Sequence, residues 1–338
     1  MHVKKHLGFS ALRKIISERL CEIEDCRQQG KVDYTLHDCA MSAFAMMFFQ
    51  DASLLEFQRR LQESINHNNI NTMFNVTSIP KDTQLRDLLD QCPSDKLDKI
   101  YADFFYHLQR SKYLQAYQFI EGMYLMPVDG SQYFSSQKIS CPGCLTKTST
   151  KGVIRYSHQI LQAVIVHPDN KQVIPLAPEA IQNTDGTEKQ DCEINAGKRF
   201  IKNFRKTHPK LKIIYGGDDL FSNQPFIDEL KAANMSFILV AKPSSHIILY
   251  EWFTDIKRMG EACLLEFTQK LNIKLFSSQC ALHRESLVKV NQRLTGFRIN
   301  GTGLYNSTVR GEKLGEATSS PEQPRLLMFI VPDFLGSP

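Results

Sequence analysis

Two stretches of this chain share one pattern, an apolar run that delivers a carboxylate at its end, and that repetition constrains the fold more than any other feature. In residues 125–134, Leu-Met-Pro-Val-Asp-Gly-Ser-Gln-Tyr-Phe, the run ends on Asp129; in residues 212–227, Ile213-Ile214-Tyr215 leads into Gly216-Gly217-Asp218-Asp219 and then a helical pattern. Taken alone, the first is a plain turn, because Asp caps its own backbone and Gly accepts a positive φ. Taken together, they predict two strands whose ends lie on one rim of a sheet, with Asp129 and Asp218 side by side.

The surrounding periodicity agrees with a mixed sheet. Before Tyr124 the pattern is helical: residues 11–28 place Leu12, Ile15, Ile16, Leu20 and Ile23 on one face, 36–49 are apolar nearly all round, and Ser53-Leu-Leu-Glu56 has the form of a capping box opening a helix to about residue 65. Residues 66–77 are mostly polar and read as a loop, with further helices at 82–90 and 94–110. From Tyr124 the period changes. Strands are expected at 124–129, 132–135, 156–167 and 172–177, then a helix at 187–208, a strand at 211–215, a helix at 224–233 and a strand at 236–241. Strand–helix–strand connections of this kind bring the first and fourth strands together in one sheet. The discordant residue is Pro127, which cannot donate to a ladder and argues against a central strand unless a gap absorbs it. The expected class is therefore α/β (mixed α+β), with a helical region over 1–120, a mixed-sheet domain over 121–288 and an irregular tail over 289–338. Segments 247–255 and 264–276 fit strand or helix equally.

Composition matters chiefly through where the charge sits. With 41 Lys and Arg against 36 Asp and Glu the chain is only mildly basic, but the cations cluster. Residues 130–156 contain Lys138, Lys147, Lys151 and Arg155 and no acid, and 198–212 contain Lys198, Arg199, Lys202, Arg205, Lys206, Lys210 and Lys212, again with no acid. Such runs suit a polyanionic backbone read without regard to sequence, though 198–212 is equally the solvated face of an amphipathic helix. Basic spots at Lys4, Lys5, Arg13 and Lys14 give the N-terminal helices the same two readings, a grip on DNA or a bundle packed on the main domain. The N-terminus lacks the apolar core of a signal peptide, the longest apolar run is too short for a membrane span, and nine scattered cysteines fit reduced thiols; a cytoplasmic protein is expected.

Two carboxylates on one rim can share divalent ions, and hard cations such as Mg²⁺ prefer carboxylate oxygens; the usual complement is three acids. Cys141 and Cys144 form a single Cys-x-x-Cys, and no second pair of suitable spacing follows, so a tight loop with two free thiols is expected rather than a zinc site. His158 reads as a core or substrate-contacting histidine, and Asp191 and Glu193, two apart on the expected helix, point in different directions, so that one could be a supporting acid, with a solvated helix start the favoured reading.

Residues 129–145 (Asp-Gly-Ser-Gln-Tyr-Phe-Ser-Ser-Gln-Lys-Ile-Ser-Cys-Pro-Gly-Cys-Leu), Tyr156-Ser-His-Gln159 with His167-Pro-Asp169, Asp191-Cys-Glu193 with Asn195 and Lys198-Arg199, and Asp218-Asp-Leu-Phe-Ser-Asn-Gln-Pro225 together resemble DDE transposases of bacterial insertion sequences. The resemblance spans about residues 75–245. It implies a ribonuclease H-like catalytic core, two Mg²⁺ ions, and cleavage and strand transfer on double-stranded DNA at an element's terminal repeats, with a homodimer left open. By position Asp129 corresponds to the first acid and Asp218 to the second, Asp219 falling in the variable place before Leu220. The family's third acid follows an Arg-Trp on a later helix, in a Glu-Asn step. Nothing after Pro243 matches it: Trp252 comes too early, and Glu251, Glu266, Glu285 and Glu312 lack the context. The Gly-, Ser- and Pro-rich end reads as a shifted or truncated frame. Three readings stay open: an active transposase, a catalytically inactive DNA-binding remnant, and an unrelated metal-dependent phosphohydrolase with a closed pocket.

Overall fold

The structure, a computed structural model, describes residues 7–25, 27, 32–61, 64–79, 81–90, 94–183, 190–258, 262–271, 274–283 and 326–330. The chain divides into two compact units, Met1–Ala116 and Tyr117–Pro338.

The first unit is helical: α1 (Phe9–Cys21), α2 (Leu36–Phe49), α3 (Leu54–Leu61), α4 (Ser64–Phe74), α5 (Asp82–Leu89) and α6 (Asp98–Arg110), the last preceded by a 3-10 turn at Ser94–Leu97. The Ser53 capping signal acts as the sequence suggests, and the structure adds a second cap at Thr35. Ser53 Oγ accepts from the Glu56 N–H at 3.1 Å, and Thr35 Oγ1 accepts from the Asp38 N–H at 2.9 Å at the start of α2. Residues 66–74, expected as part of a loop over 66–77, belong to α4 instead. Ile70 and Phe74, four residues apart, are fully buried with Phe57, Leu61, Met41 and Ala45, so one apolar stripe outweighs the run of asparagines that faces water. No helix among the described residues is long and apolar enough to cross a membrane.

The second unit is a mixed sheet flanked by helices. Its strands are β1 (Tyr124–Ser136), β2 (Leu145–Thr148), β3 (Ile154–Ile165), β4 (Ile174–Pro175), β5 (Glu179–Ile181), β6 (Ile213–Gly217), β7 (Ser236–Ala241) and β10 (Leu326–Ile330), with α7 (Glu193–Thr207), α8 (Gln224–Ala232) and α9 (Ile247–Arg258) between them; β8 (Ala262–Leu271) and β9 (Lys274–His283) form a separate hairpin. β1 lies between β3, to which it is antiparallel, and β6, to which it is parallel; β6 is in turn parallel to β7, and β4 and β5 pair with the far side of β3. An antiparallel strand pair joined by helical crossovers to two parallel strands is the arrangement of a ribonuclease H-like core. Antiparallel pairing of β10 with β7 puts an ordered strand inside the segment expected to be irregular; the rest of 284–338 lies outside the described residues, as do Glu285 and Glu312.

Two departures concern β1. It is a single 13-residue strand, so Asp129-Gly130 lies mid-strand and makes no turn. Pro127 is accommodated by a gap: β1 pairs with β3 continuously only from Val128, and on the other edge Pro127 is the last residue in register with β6, opposite Gly216. A Cβ at Gly216 would come within 3.3 Å of Pro127 Cα, so the close approach needs the glycine.

Beneath the sheet, α7 buries Ala196, Gly197, Phe200, Ile201 and Phe204, and α8 buries Phe226, Ile227 and Leu230. Tyr215, Phe221 and Phe226 pack with ring centroids 4.9–6.0 Å apart. α7 ends against its neighbours through Arg205, whose guanidinium donates to the carbonyls of Leu211 (2.7 Å), Ala233 (2.7 Å), Asn234 (3.0 Å) and His208 (3.2 Å).

Candidate functional site

Register places the two acids together. Pro127 of β1 pairs with Gly216 of β6, and Asp129 and Asp218 each lie two residues beyond that pair on parallel paths, where neighbouring strands are about 4.8 Å apart. Both carboxylates are exposed on the sheet rim. Asp129 Oδ1 accepts from the Gly130 N–H at 2.9 Å, and Asp218 Oδ1 accepts from the Leu220 N–H at 3.0 Å, a local bond that turns the chain out of β6.

A third carboxylate joins them from α7. Glu193 is the first residue of that helix, half-buried, and lies so close to β1 that a Cβ added at Gly130 would overlap its carboxylate. Its carboxyl is held above the usual glutamate value, first by desolvation and then by the negative charges of Asp129 and Asp218. Asp129 is raised as well, by desolvation and by repulsion from Asp218, with the Gly130 N–H bond opposing. Among the described residues, none of the three is in an ion pair. The start of α7 contributes the positive end of the helix, and beneath the cluster the buried Tyr215 hydroxyl has no hydrogen-bond partner and feels the charges of Asp218 and Glu193. Three oxygen-donor groups that repel one another and lack a protein cation can close around a hard divalent ion, although, unlike Cys141, Cys144 and His158, their ligand atoms do not all lie within 4.8 Å of one another.

Glu193 is the candidate site residue that the sequence left level with Asp191 at a helix start. Asp191-Cys192-Glu193 reads as a solvated helix start, yet Asp191 is committed to a salt bridge with Arg199 at 2.7 Å while Glu193 turns inward. The one local signal is Gly130, whose missing side chain makes room for Glu193.

Asp219 has a separate role. Its carboxylate accepts from the Lys242 N–H (2.7 Å) and Ser245 Oγ (2.7 Å) and lies 3.5 Å from His246 Nε2, pinning the Asp218 loop to the segment after β7. Burial alone would raise its pKa, but these bonds and the nearby positive charges hold it below the ordinary 3.8.

The expected cationic residues separate into two groups. Lys138, Lys147, Lys151 and Arg155 are exposed on and beside β2 and the start of β3, and Lys202 and Lys206 are exposed on α7 with Lys198 half-exposed. Arg199 and Arg205 are not free for a ligand: Arg199 pairs with Glu179 (2.8 Å) and Asp191, and Arg205 is spent on backbone carbonyls. Sequence cannot make this distinction because it depends on which neighbours cross behind α7. Glu251 and Trp252 are exposed on α9.

Cys141 and Cys144 are both free thiols, and the structure adds what the sequence did not anticipate, His158 of β3 placed against them.

No family model and no curated protein matches the chain. Six chains of solved structures do. One belongs to the cryo-EM structure of a piggyBac transposase synaptic complex with hairpin DNA, at 14% identity and a TM-score of 0.36, covering 80% of this chain and 60% of that one. The chain thus spans 60% of the length of that transposase, and the likeness to bacterial insertion-sequence enzymes rests on the sequence motifs alone.

Proposed function

We propose that the protein is a DDE-type transposase that cleaves and joins DNA in the cytoplasm, with Asp129, Glu193 and Asp218 as the carboxylates of its divalent-metal site. The observation that carries this reading is the convergence of three unpaired carboxylates from β1, α7 and the end of β6 on one exposed rim. A reading as an inactive remnant depended on a missing third acid, and Glu193 supplies one. A phosphohydrolase for small substrates needs a closed pocket, whereas Asp129 and Asp218 face solvent where a long polymer can lie.

Mg²⁺ bound there would neutralise charge on the attacking and leaving oxygens of a phosphodiester. The chain's own residues do the rest. The carboxylates of Asp129, Glu193 and Asp218 supply the ligands; Gly130 leaves space for Glu193; Asp219 holds the Asp218 loop through Ser245 and the Lys242 N–H. Lys138, Lys147, Lys151 and Arg155 on one side, and Lys198, Lys202 and Lys206 on α7, contact phosphates of double-stranded DNA and carry no base information. Water, then a 3′-hydroxyl, is the attacking group in cleavage and joining, with a 3′-oxygen leaving in each case and no covalent enzyme intermediate.

The test is nicking and strand transfer on DNA bearing the ends of the encoding element, with and without Mg²⁺. Cleavage that requires Mg²⁺ and falls by about 10²-fold or more in Asp129→Asn and Asp218→Asn is expected. DNA binding that is salt-sensitive but never accompanied by cleavage overturns the catalytic reading.

A further inference from the structure

A second constellation stands apart from the carboxylates, on the antiparallel side of the sheet. Cys141 and Cys144 lie in the loop between β1 and β2, and His158 lies on β3. The two sulfurs are 3.5 Å apart, and His158 Nε2 is 3.2 Å from Cys141 Sγ and 3.4 Å from Cys144 Sγ. Ligand atoms around a tetrahedral zinc, with bonds of about 2.3 Å to sulfur and about 2.0–2.1 Å to nitrogen, are spaced by roughly 3.5–3.8 Å. The observed triangle is within a few tenths of an ångström of that on every edge. A disulfide alone would account for the two cysteines but not for a ring nitrogen nearly equidistant from both sulfurs.

The local sequence builds this triangle. Pro142-Gly143 closes a tight turn in which the Cys144 N–H donates to the Cys141 carbonyl (3.1 Å) and the Cys141 N–H donates to Cys144 Sγ (3.3 Å). On the facing strand, the ladder between β1 and β3 breaks register between Gln132 and Phe134. That irregularity brings two consecutive aromatic rings against one histidine: Tyr133 stacks on His158 at 5.9 Å between centroids and Phe134 tilts against it at 5.6 Å. The imidazole is thereby fixed with Nε2 toward the sulfurs.

We propose that Cys141, Cys144 and His158 bind a zinc ion whose fourth ligand is water, reached through the exposed Cys141. Two thiolates and an imidazole are a donor set that selects zinc over magnesium, so the site is chemically distinct from the carboxylate cluster. It is spatially distinct too: His158 is four residues along β3 from Gln162, the partner of Asp129, or about 13 Å at the usual strand rise. The ion clamps the loop between β1 and β2 onto β3, fixing the segment that carries Lys138.

Metal analysis of the full chain purified without added metal or chelator, together with Co²⁺ substitution, tests this. Expected are about one zinc per chain and, with cobalt, the near-ultraviolet thiolate-to-metal band that a carboxylate site cannot give. Cys141→Ser, at an exposed position, should lose both while keeping the wild-type circular dichroism spectrum, and His158→Asn should weaken Co²⁺ binding at least about tenfold. Absence of bound zinc and of the charge-transfer band in the wild type, whether its cysteines titrate as thiols or as a disulfide, overturns the proposal. So does a band that survives Cys141→Ser.

Discussion

Glu193 is where residue-scale physics decides the account. Its folded pKa is raised above the ordinary 4.5, so the folded chain holds that proton more tightly than the unfolded one. The associated stability is fully present below about pH 4.5 and is lost as pH rises through the folded value, leaving an ionised, repelled carboxylate as a cost at neutral pH. Glu193→Gln should therefore raise the metal-free melting midpoint, by about 1–3 °C for a chain of this size, while abolishing Mg²⁺-dependent cleavage; differential scanning fluorimetry with and without Mg²⁺ checks both signs. Gly130→Ala should act through the same group. Its Cβ has nowhere to go unless the Glu193 carboxylate moves, so cleavage should fall at least about tenfold with little change in fold by circular dichroism. Asp129 and Asp218 were legible as acids ending apolar runs, whereas Glu193 could not be told from Asp191, because the choice depends on α7 starting beside Gly130, a contact across 63 residues that no local pattern encodes.

At the scale of elements, periodicity sufficed where burial is one-sided. α2 and β7 match their sequence ranges at both ends, and the Asn223 cap with Pro225 after it marks the start of α8. It failed where a stripe is thin, as in α4, and where Asp-Gly mimics a turn inside β1. Gly197 provides a direct test of how α7 is seated. A Cβ there would approach Phe226 to 2.8 Å and Phe221 to 3.2 Å, both fully buried rings, so Gly197→Ala should destabilise the second unit by about 1–3 kcal/mol in urea unfolding. Asp219→Ala should lower stability at neutral pH, because the folded chain holds this carboxyl below 3.8, and should release the Asp218 loop from Ser245 and Lys242, lowering the cleavage rate without removing a metal ligand. A metal affinity equal to the wild type, with a slower reaction, is the expected combination.

For the molecule as a whole, acid lability should come from the end of α7. His208 is half-buried beside Arg205, and desolvation with that positive charge lowers its pKa from 6.5 to about 4. Stability from keeping it neutral is fully present above pH 6.5 and is lost as pH falls toward 4, about 1–3 kcal/mol across that window. Urea midpoints measured from pH 7 to 4.5 should fall in the wild type and flatten in His208→Gln. The charge pattern was legible in outline: two acid-free runs were plain in the sequence, but only the fold separates the exposed lysines from Arg199 and Arg205, which hold the molecule together.

The most direct test of the central claim is Mn²⁺ binding followed by electron paramagnetic resonance on the full chain at neutral pH, comparing wild type with Asp129→Asn, Glu193→Gln and Asp218→Asn. Saturable binding in the wild type, weakened at least about tenfold by each of the three substitutions and unaffected by Cys141→Ser, is the predicted result. Affinity unchanged by all three carboxylate substitutions would contradict a metal site on this rim.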